Sequence, residues 1–489
     1  MSMLFRFRPI PLAFALALSV GAAASAQDAD MVERIYRSGE RAYAAHSYPE
    51  AFETWNQLIQ TAPKSLFASE ALLKMARHQM DIEKKPDAAL PLLDRIKTDH
   101  LKTPAAAEAM LLRGIILAGR CHKPAELKES IAEFNRVVDL FPDHPAVQVA
   151  HHQLGLAARM QGQWGRALRA FTEALRLDPT SPIAPQAQLQ IAEILDITGD
   201  LPGCLRVLQG LRTRFPQSPE AEEAEWRIAV RVKQRIQKPA LVSEGLWPQG
   251  RQKWLKTPTL LATGNAGELY VYQDDLDRAF VLKGNELQPI GAAVKSAKAL
   301  LPMPSGVLWL LSAKQGVVKE DGTTLALGSM LSPTGAFFDA WGTLWVSDAK
   351  AGAIELIAAD GSARNLPSPA GSALAAMPDG GAVLASDTNR SLLFLDASAQ
   401  PRLTVPYGKD LPAPFKYVLS LCSDPLGHVA AIVEGEFDGV AVWGPDGALL
   451  RSATFKSLGI SGKFRAIALD RWGGLILADR SNDVLIRLN

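Results

Sequence analysis

The chain lacks the residue patterns on which most enzymes depend. Phosphate loops, dinucleotide fingerprints and the Gly-x-Ser-x-Gly and His-Glu-x-x-His motifs are all missing from its 489 residues. Its three cysteines, Cys121, Cys204 and Cys422, lie far apart, unlike the closely spaced even set of a disulfide scaffold, and we expect them to be small core residues. The sequence therefore predicts no catalytic residues and no cofactor.

The chain also has no charge excess and no second long apolar run. With 52 basic and 51 acidic side chains, it has no net field to attract nucleic acid or an anionic membrane. Beyond the N-terminal segment, no stretch approaches the 18 unbroken apolar residues that indicate a transmembrane helix. We expect neither nucleic-acid binding nor a transmembrane segment.

The first 26 residues resemble a secretory signal peptide. Arg6 and Arg8 precede an apolar run at 12–20, and Ala24-Ser25-Ala26 provides the small residues that a signal peptidase prefers. The sequence predicts cleavage near Ala26 and a periplasmic or secreted product.

Residues 27–237 have apolar side chains at helical spacing, and their helix-stop residues recur at a regular interval. Pro63, His100, Pro142, Pro179 and Pro216 are separated by 37, 42, 37 and 37 residues. This period predicts five helix pairs, followed by a terminal helix at 220–237. Its basic residues Arg227, Arg231, Lys233 and Arg235, with Lys238 just beyond it, would form a solvated capping face, and a basic interaction site is the alternative.

One unit of this array resembles the tetratricopeptide repeat. It has Gly155, Ala167, Phe171, Ala174 and Pro179 at the family's spacing, where a small residue lets two antiparallel helices pack closely. The resemblance implies an α-solenoid whose first helices line a groove for a protein or peptide partner. Carried over unit by unit, the groove positions are Tyr36, Glu40, Tyr43, Leu73, Arg77, Met80, His152, Leu156, Arg159, Met160, Leu189, Glu193 and Asp196. Packing within the superhelix is the alternative interpretation of Tyr36 and Met80.

Residues 251–489 contain six glycine-led apolar stretches, following a linker at 238–250. The glycines are Gly267, Gly306, Gly342, Gly381, Gly427 and Gly474, at intervals of 39, 36, 39, 46 and 47 residues. Such intervals match one four-stranded blade, so the sequence predicts a six-bladed β-propeller. The sixth blade shows only three strands up to 488, and we expect residues 251–257 to supply the fourth.

Several blades end a strand in Ser-Asp or Ala-Asp and resemble the NHL-type propeller repeat. Asp387-Thr-Asn389 and Asp479-Arg-Ser-Asn482 match that pattern best, and we expect these aspartates to accept hydrogen bonds from local backbone amides. Some propellers hold a divalent cation in the central channel. With His428 as its only histidine, this propeller does not match the zinc type, whereas Glu434, Glu436 and Asp438 crowd one loop and are its candidates for calcium. A solvated acidic hairpin is the favoured interpretation of that loop.

The sequence thus predicts a multidomain α plus β protein that acts as an interaction scaffold in the cell envelope. Two alternatives remain. One is a divalent-cation-dependent propeller hydrolase or lyase, resembling the lactonases. The other is a cell-wall glycan-binding module that uses propeller tryptophans, although core packing is the default interpretation of each. The tryptophans in question are Trp309, Trp341, Trp345, Trp443 and Trp472.

Overall fold

The computed structural model describes residues 30–489 except 122–123, 251–253, 265–266, 304–305, 328–329, 331, 340–341, 359–361, 370 and 372. The predicted signal peptide at 1–26 lies outside the described residues. In the described part of the chain, no helix is both long and apolar enough to cross a membrane.

The described residues of the N-terminal half form eleven α-helices. The helices are α1 (30–44), α2 (Tyr48–Thr61), α3 (Leu66–Asp81), α4 (Pro86–Asp99), α5 (Pro104–Gly119), α6 (Lys128–Leu140), α7 (Ala146–Met160), α8 (Trp164–Leu177), α9 (Ala184–Ile197), α10 (Leu201–Arg214) and α11 (Pro219–Arg231). A 3-10 helix (Pro124–Leu127) precedes α6, and a π-helix (Val232–Gln237) continues α11. Five consecutive pairs and a terminal helix confirm the predicted solenoid.

Small residues of the first helices pack against aromatic residues of the second helices, as the repeat pattern predicts. A Cβ atom built on Gly39, Gly114 or Gly155 would lie 2.3, 2.5 or 2.7 Å from the ring of Trp55, Phe134 or Phe171, respectively. All three rings are fully buried. The glycines therefore set the distance between the two helices of each pair, and no larger residue fits without movement of the ring.

The C-terminal half is a propeller of six four-stranded antiparallel sheets. Blade 1 contains β2 (Pro258–Thr263), β3 (Leu269–Gln273), β4 (Arg278–Lys283) and β5 (Glu286–Ile290); blade 2 contains β6 (Ala297–Pro302), β7 (Leu308–Ser312), β8 (Gly316–Val318) and β9 (Thr324–Leu325). Blade 3 contains β10 (Pro333–Phe338), β11 (Leu344–Asp348), β12 (Ala353–Ile357) and β13 (Ala363–Pro367); blade 4 contains β14 (Ala373–Ala376), β15 (Ala382–Ser386), β16 (Ser391–Leu395) and β17 (Pro401–Pro406). Blade 5 contains β18 (Phe415–Ser423), β19 (Val429–Gly435), β20 (Gly439–Trp443) and β21 (Leu449–Thr454), and blade 6 contains β22 (Phe464–Leu469), β23 (Leu475–Asp479), β24 (Val484–Leu488) and β1 (Ser243–Leu246).

The outer strand that completes blade 6 is β1, and the prediction of 251–257 for this role was wrong. Ser243 pairs with Leu488 and Leu246 with Ile486, so a strand lies within the segment 238–250 that was predicted to be a linker. Two described residues of the later segment make other contacts, because the Lys256 amide donates to the Gln273 side chain and the Thr257 amide donates to the Asp483 carboxylate. Closure by an upstream strand was predicted correctly, but the strand itself was misplaced.

The chain divides into two compact units. One contains the described residues up to Gln161 together with Gly165–Ile183, and the other contains Gly162–Trp164 and Ala184–Asn489. Helices α9 to α11 therefore belong to the same unit as the propeller. All three cysteines are free, and Cys204 is fully buried as expected, whereas Cys121 and Cys422 are partly exposed.

Candidate functional site

Charged side chains of α1, α3 and α5 form a strip across neighbouring first helices of the solenoid. This first-helix strip consists of Glu40, Glu70, Lys74, Arg77 and Glu108. The Lys74 Nζ atom lies 2.6 Å from a carboxylate oxygen of Glu40, and Arg77 forms an ion pair with Glu108. Each ion pair links two different repeats, so the strip is continuous over three units.

The carboxylates of this strip differ in their electrostatic environment. Burial, and next the negative charge of Glu108, raise the pKa of Glu70. Burial also opposes ionisation of Glu40, but its ion pairs with Lys74 and Arg37 outweigh burial and lower its pKa. Arg77 remains half exposed, with 52% of its side chain accessible. The strip therefore offers both an accessible cation and carboxylates to a partner.

Other predicted groove residues of the first two units face the core. Tyr36 is buried between Trp55 and Phe67, and the Trp55 indole donates to its carbonyl oxygen at 3.3 Å. Leu73 is also buried, and Met80 packs against the same hydrophobic cluster. Tyr36 and Leu73 are consequently not accessible to a partner.

Tyr43 lies at the boundary between core and solvent. Its hydroxyl is 3.2 Å from Nδ1 of the buried His78, and its ring packs against Trp55. The side chain is half-buried. Replacement of the whole ring would disturb the core, and removal of the hydroxyl alone would leave Nδ1 of the buried His78 without this partner.

In the fourth unit, the predicted groove residues divide between core and surface. His152 is buried against Phe171 with no hydrogen-bond partner for either ring nitrogen, and burial lowers its pKa to about 4. Leu156 and Arg159 are partly exposed, and Met160, at the end of α7, is exposed. His152 is thus a neutral core residue rather than a groove residue.

In the fifth unit, the predicted groove residues contact α11 and the π-helix. Asp196 is buried and accepts a hydrogen bond from the Arg231 Nε atom at 2.8 Å, and it also pairs with Arg235. Arg227 pairs with Glu193 at 2.5 Å, while Leu189 is buried among α9 and α10. The prediction of a solvated capping face was therefore wrong for Arg231, which is 2% exposed, because its charge is matched by the acidic residues of α9.

The terminal helix also contacts the propeller within the same unit. Trp226 and Val230 pack against Leu426 of blade 5, and Arg471 of blade 6 stacks over the Trp226 ring at 5.3 Å. The Lys233 ammonium lies 3.3 Å from the Trp472 carbonyl oxygen. This part of the basic face is thus an internal docking surface.

The inner strands β2, β6, β10, β14, β18 and β22 surround a central channel with a cavity of about 450 Å³. Most of the described residues that line this channel are apolar or small. Lys298, Arg465 and Asp424 are the charged side chains in that lining. Asp424 accepts from the Nδ1 atom of His428 at 2.7 Å and from two backbone amides.

These channel residues do not fit a divalent cation. Lys298 and Arg465 would repel it, and the carboxylate of Asp424 is already held by His428. Glu434 lies near the end of β19, Glu436 and Asp438 follow that strand, and all three are exposed. In the described residues, no group of three or more His, Cys, Asp or Glu side chains is arranged to bind a metal. Burial, followed by the charge of Glu434, raises the pKa of Asp438.

Asp348 and Asp479 play the predicted local role, whereas Asp387 accepts from the Tyr407 hydroxyl at 3.0 Å and from the Val418 amide of the next blade at 3.4 Å. Asp348 accepts from the amides of Ser332, Lys350 and Ala351, and the buried Asp479 accepts from the amides of Lys463 and Ser481. These bonds tie the end of the second strand to the loops of the same blade.

Among the tryptophans considered for glycan binding, Trp345 and Trp443 are buried in the core, as expected. Trp309 packs edge to face against Phe338 and has the Lys319 ammonium above its ring. Trp341 lies outside the described residues. Trp472 is half exposed and is therefore available to a ligand.

Sequence reasoning missed Lys298 and Arg465. Each is the second residue of an inner strand, immediately before an apolar run. The glycine repeat used to phase the blades marks the following strand instead.

Comparison with known proteins identifies one repeat and several structures of low similarity. The tetratricopeptide repeat family matches residues 149–181. No curated protein matches the chain.

Solved structures of low sequence identity each align with part of the chain. A streptogramin B lyase is 13% identical over 51% of this chain and 97% of its own, with a TM-score of 0.37. A gluconolactonase from Xanthomonas campestris is 16% identical over 48% and 86%, with a TM-score of 0.37. The protein MamA is 18% identical over 38% and 96%, with a TM-score of 0.30.

Proposed function

We propose that this protein is an exported interaction scaffold that binds a protein or peptide partner through the first-helix strip. The observation that carries the proposal is the pair of inter-repeat contacts Glu40–Lys74 and Arg77–Glu108, which hold charged groups in fixed positions across three units. Fixed side chains lose little conformational entropy when a partner binds. Arginine is also enriched among the residues that contribute most to interfaces.

The strip suits an elongated partner of mixed charge. Its accessible cation, Arg77, lies beside carboxylates rather than within a basic patch, which favours a partner that alternates acidic and basic groups. The exposed Met160 provides an adaptable apolar contact further along the solenoid. A helix or extended peptide laid across the first helices would contact both features.

The propeller in this proposal is a second binding platform of the NHL type rather than an enzyme. Support comes from the strand-end aspartates, which bind backbone amides, and from the cations of the channel, which are unsuited to the metal of a lactonase-like site. Export to the cell envelope is supported by the sequence of residues 1–26. Mass spectrometry of the exported protein should therefore find Gln27 as the N-terminal residue.

Site-specific cross-linking tests the position of the partner. A photoreactive phenylalanine analogue in place of Arg37, an exposed residue of α1 that pairs with Glu40 of the strip, should cross-link one protein in the envelope fraction, and the same analogue in place of Arg176 is the control. Arg176 is also ion-paired and exposed, but it lies on α8, a second helix. Equal cross-linking from both positions, or none from Arg37, would contradict the proposal.

A further inference from the structure

The central channel of the propeller has a wall suited to an apolar ligand body. Its inner strands contribute Ala262, Ala299, Ala375, Leu421 and Ala466 to a cavity of about 450 Å³. This volume falls within the range of roughly 300 to 1,000 Å³ that is typical of small-molecule sites. A chain of several methylene groups would be desolvated there without displacing a buried charge.

The two cations of the channel are placed by bulges in the inner strands. Ala297 pairs with Ser312 and Ala299 with Leu311, which leaves Lys298 outside the ladder. In β22, Arg465 is left out in the same way. A bulge redirects a side chain away from the regular alternation of a strand, and both side chains consequently line the channel.

Both cations lie at the same end of the channel. The inner strands run in the same direction, since the Thr334 hydroxyl at the start of β10 donates to the carbonyl of Gly371, just before β14. At the other end, the Ser423 hydroxyl that ends β18 donates to Ala376, the last residue of β14. Lys298 and Arg465 are each the second residue of their strands, and those strands both contact β2.

Neither cation is neutralised within the described part of the chain. Lys298 and Arg465 are exposed to the channel and form no ion pair there, and the one carboxylate of the described lining, Asp424, is held by His428. Two unpaired positive charges beside an apolar wall attract an anionic headgroup, which a guanidinium can bind through two parallel hydrogen bonds.

We infer that the propeller channel binds a small amphipathic anion, with a carboxylate or phosphate headgroup between Lys298 and Arg465 and an alkyl or aryl body along the apolar wall. This site is independent of the first-helix strip. It assigns a ligand class to the propeller and requires no catalytic step.

Isothermal titration of the full chain with octanoate, octyl phosphate and octan-1-ol tests this site. One anion should bind per chain, at least about tenfold more tightly than the alcohol, as expected for charge-assisted hydrogen bonds. Binding of octanoate alone would assign the headgroup to carboxylates, and binding of octyl phosphate alone would assign it to phosphates. Equal affinity for octan-1-ol and both anions, or no anion binding, would overturn the inference.

Variants locate the headgroup. The double variant Lys298→Gln, Arg465→Gln should lose the preference for the anion, whereas Lys298→Arg, Arg465→Lys should keep it. The matched control Lys283→Gln, Arg364→Gln removes the same charge from exposed positions in β4 and β13 and should bind like the parent chain. Anion binding that survives the first double variant, or that is lost equally in the control, would also overturn the inference.

Discussion

The Gln234 side-chain amide donates a hydrogen bond of 2.7 Å to the carbonyl oxygen of Gly473, and this bond connects the π-helix to blade 6. Gln234 is fully buried, and a Cβ atom on Gly473 would lie 2.6 Å from its Nε2 atom. Glu223 supports the same junction through an ion pair of 3.2 Å with Arg471. The last helices of the repeat array are therefore part of the compact unit that contains the propeller.

Replacement of Gly473 with alanine should destabilise this unit. The methyl group would meet Gln234 and Val230, and Gly473 has a φ of +72°, which also disfavours alanine. Gly459→Ala is the matched control, because Gly459 has a φ of +65° with nothing near its Cβ position. Chemical denaturation should show Gly473→Ala to be less stable than Gly459→Ala by at least about 1 kcal/mol. Equal losses of stability in the two variants would mean that the contact with Gln234 does not contribute to the effect of Gly473→Ala.

The segment that leads into β1 predicts different effects at two adjacent positions. Leu241 is buried in the cluster that contains Ile486 and Leu488, whereas Val242 is 57% exposed. Leu241→Ala should lower the free energy of unfolding of the propeller by about 2 to 5 kcal/mol, the range for a buried leucine, and Val242→Ala should change it by less than about 0.5 kcal/mol. If Leu241→Ala were as stable as the parent chain in thermal unfolding, closure through this segment would be contradicted.

Helix α5 contains two glycines that should respond oppositely to alanine. Gly114→Ala would drive a methyl group into the Phe134 ring and should destabilise the solenoid by about 1 to 3 kcal/mol. Gly119→Ala meets nothing within 4 Å and should stabilise the helix by up to about 1 kcal/mol. Circular dichroism during thermal unfolding measures both, and a stabilising Gly114→Ala would refute the close packing of this pair.

Burial of His152 predicts an acid-sensitive solenoid. Its pKa is lowered to about 4 in the folded protein, from an ordinary value of 6.5, so between these pH values the unfolded chain binds the extra proton. The contribution of His152 to the free energy of unfolding is fully present above pH 6.5. It decreases by on the order of 3 kcal/mol as the pH falls towards 4.

The pH effect is measured by difference. The free energy of unfolding of the parent chain should decrease between pH 7 and 4 more than that of His152→Leu, in which this proton site is absent. Other titrating groups, such as His151, are common to both proteins and cancel. Parallel pH profiles would show that His152 is not held neutral.

The repeat patterns predicted both halves of the fold because each unit carries its own signal. The glycine and aromatic pairs, such as Gly155 with Phe171, are set by contacts close in sequence. The six glycines likewise mark the start of the second strand in every blade. Local periodicity is thus sufficient for repeat architecture.

Long-range contacts were not predictable from the same patterns. The position of β1 depends on pairing with β24, more than 200 residues away. Arg231 looks like a surface cation in the sequence of α11, and only its contact with Asp196 makes it a core residue. His152 was assigned to the groove because the family's groove positions were carried over unit by unit, and only its packing against Phe171 makes it a core residue.

The most direct test of the proposed scaffold is the affinity of the cross-linked partner for charge-reversal variants. Arg77→Glu should weaken binding by about 2 kcal/mol or more, the usual contribution of an arginine anchor, while Arg176→Glu should bind like the parent chain. Both variants remove one ion pair, with Glu108 and Glu173 respectively, so their stabilities can be compared directly. The account predicts selective loss for Arg77→Glu at unchanged thermal stability. Full-strength binding by Arg77→Glu, or equal loss in the two variants, would contradict it.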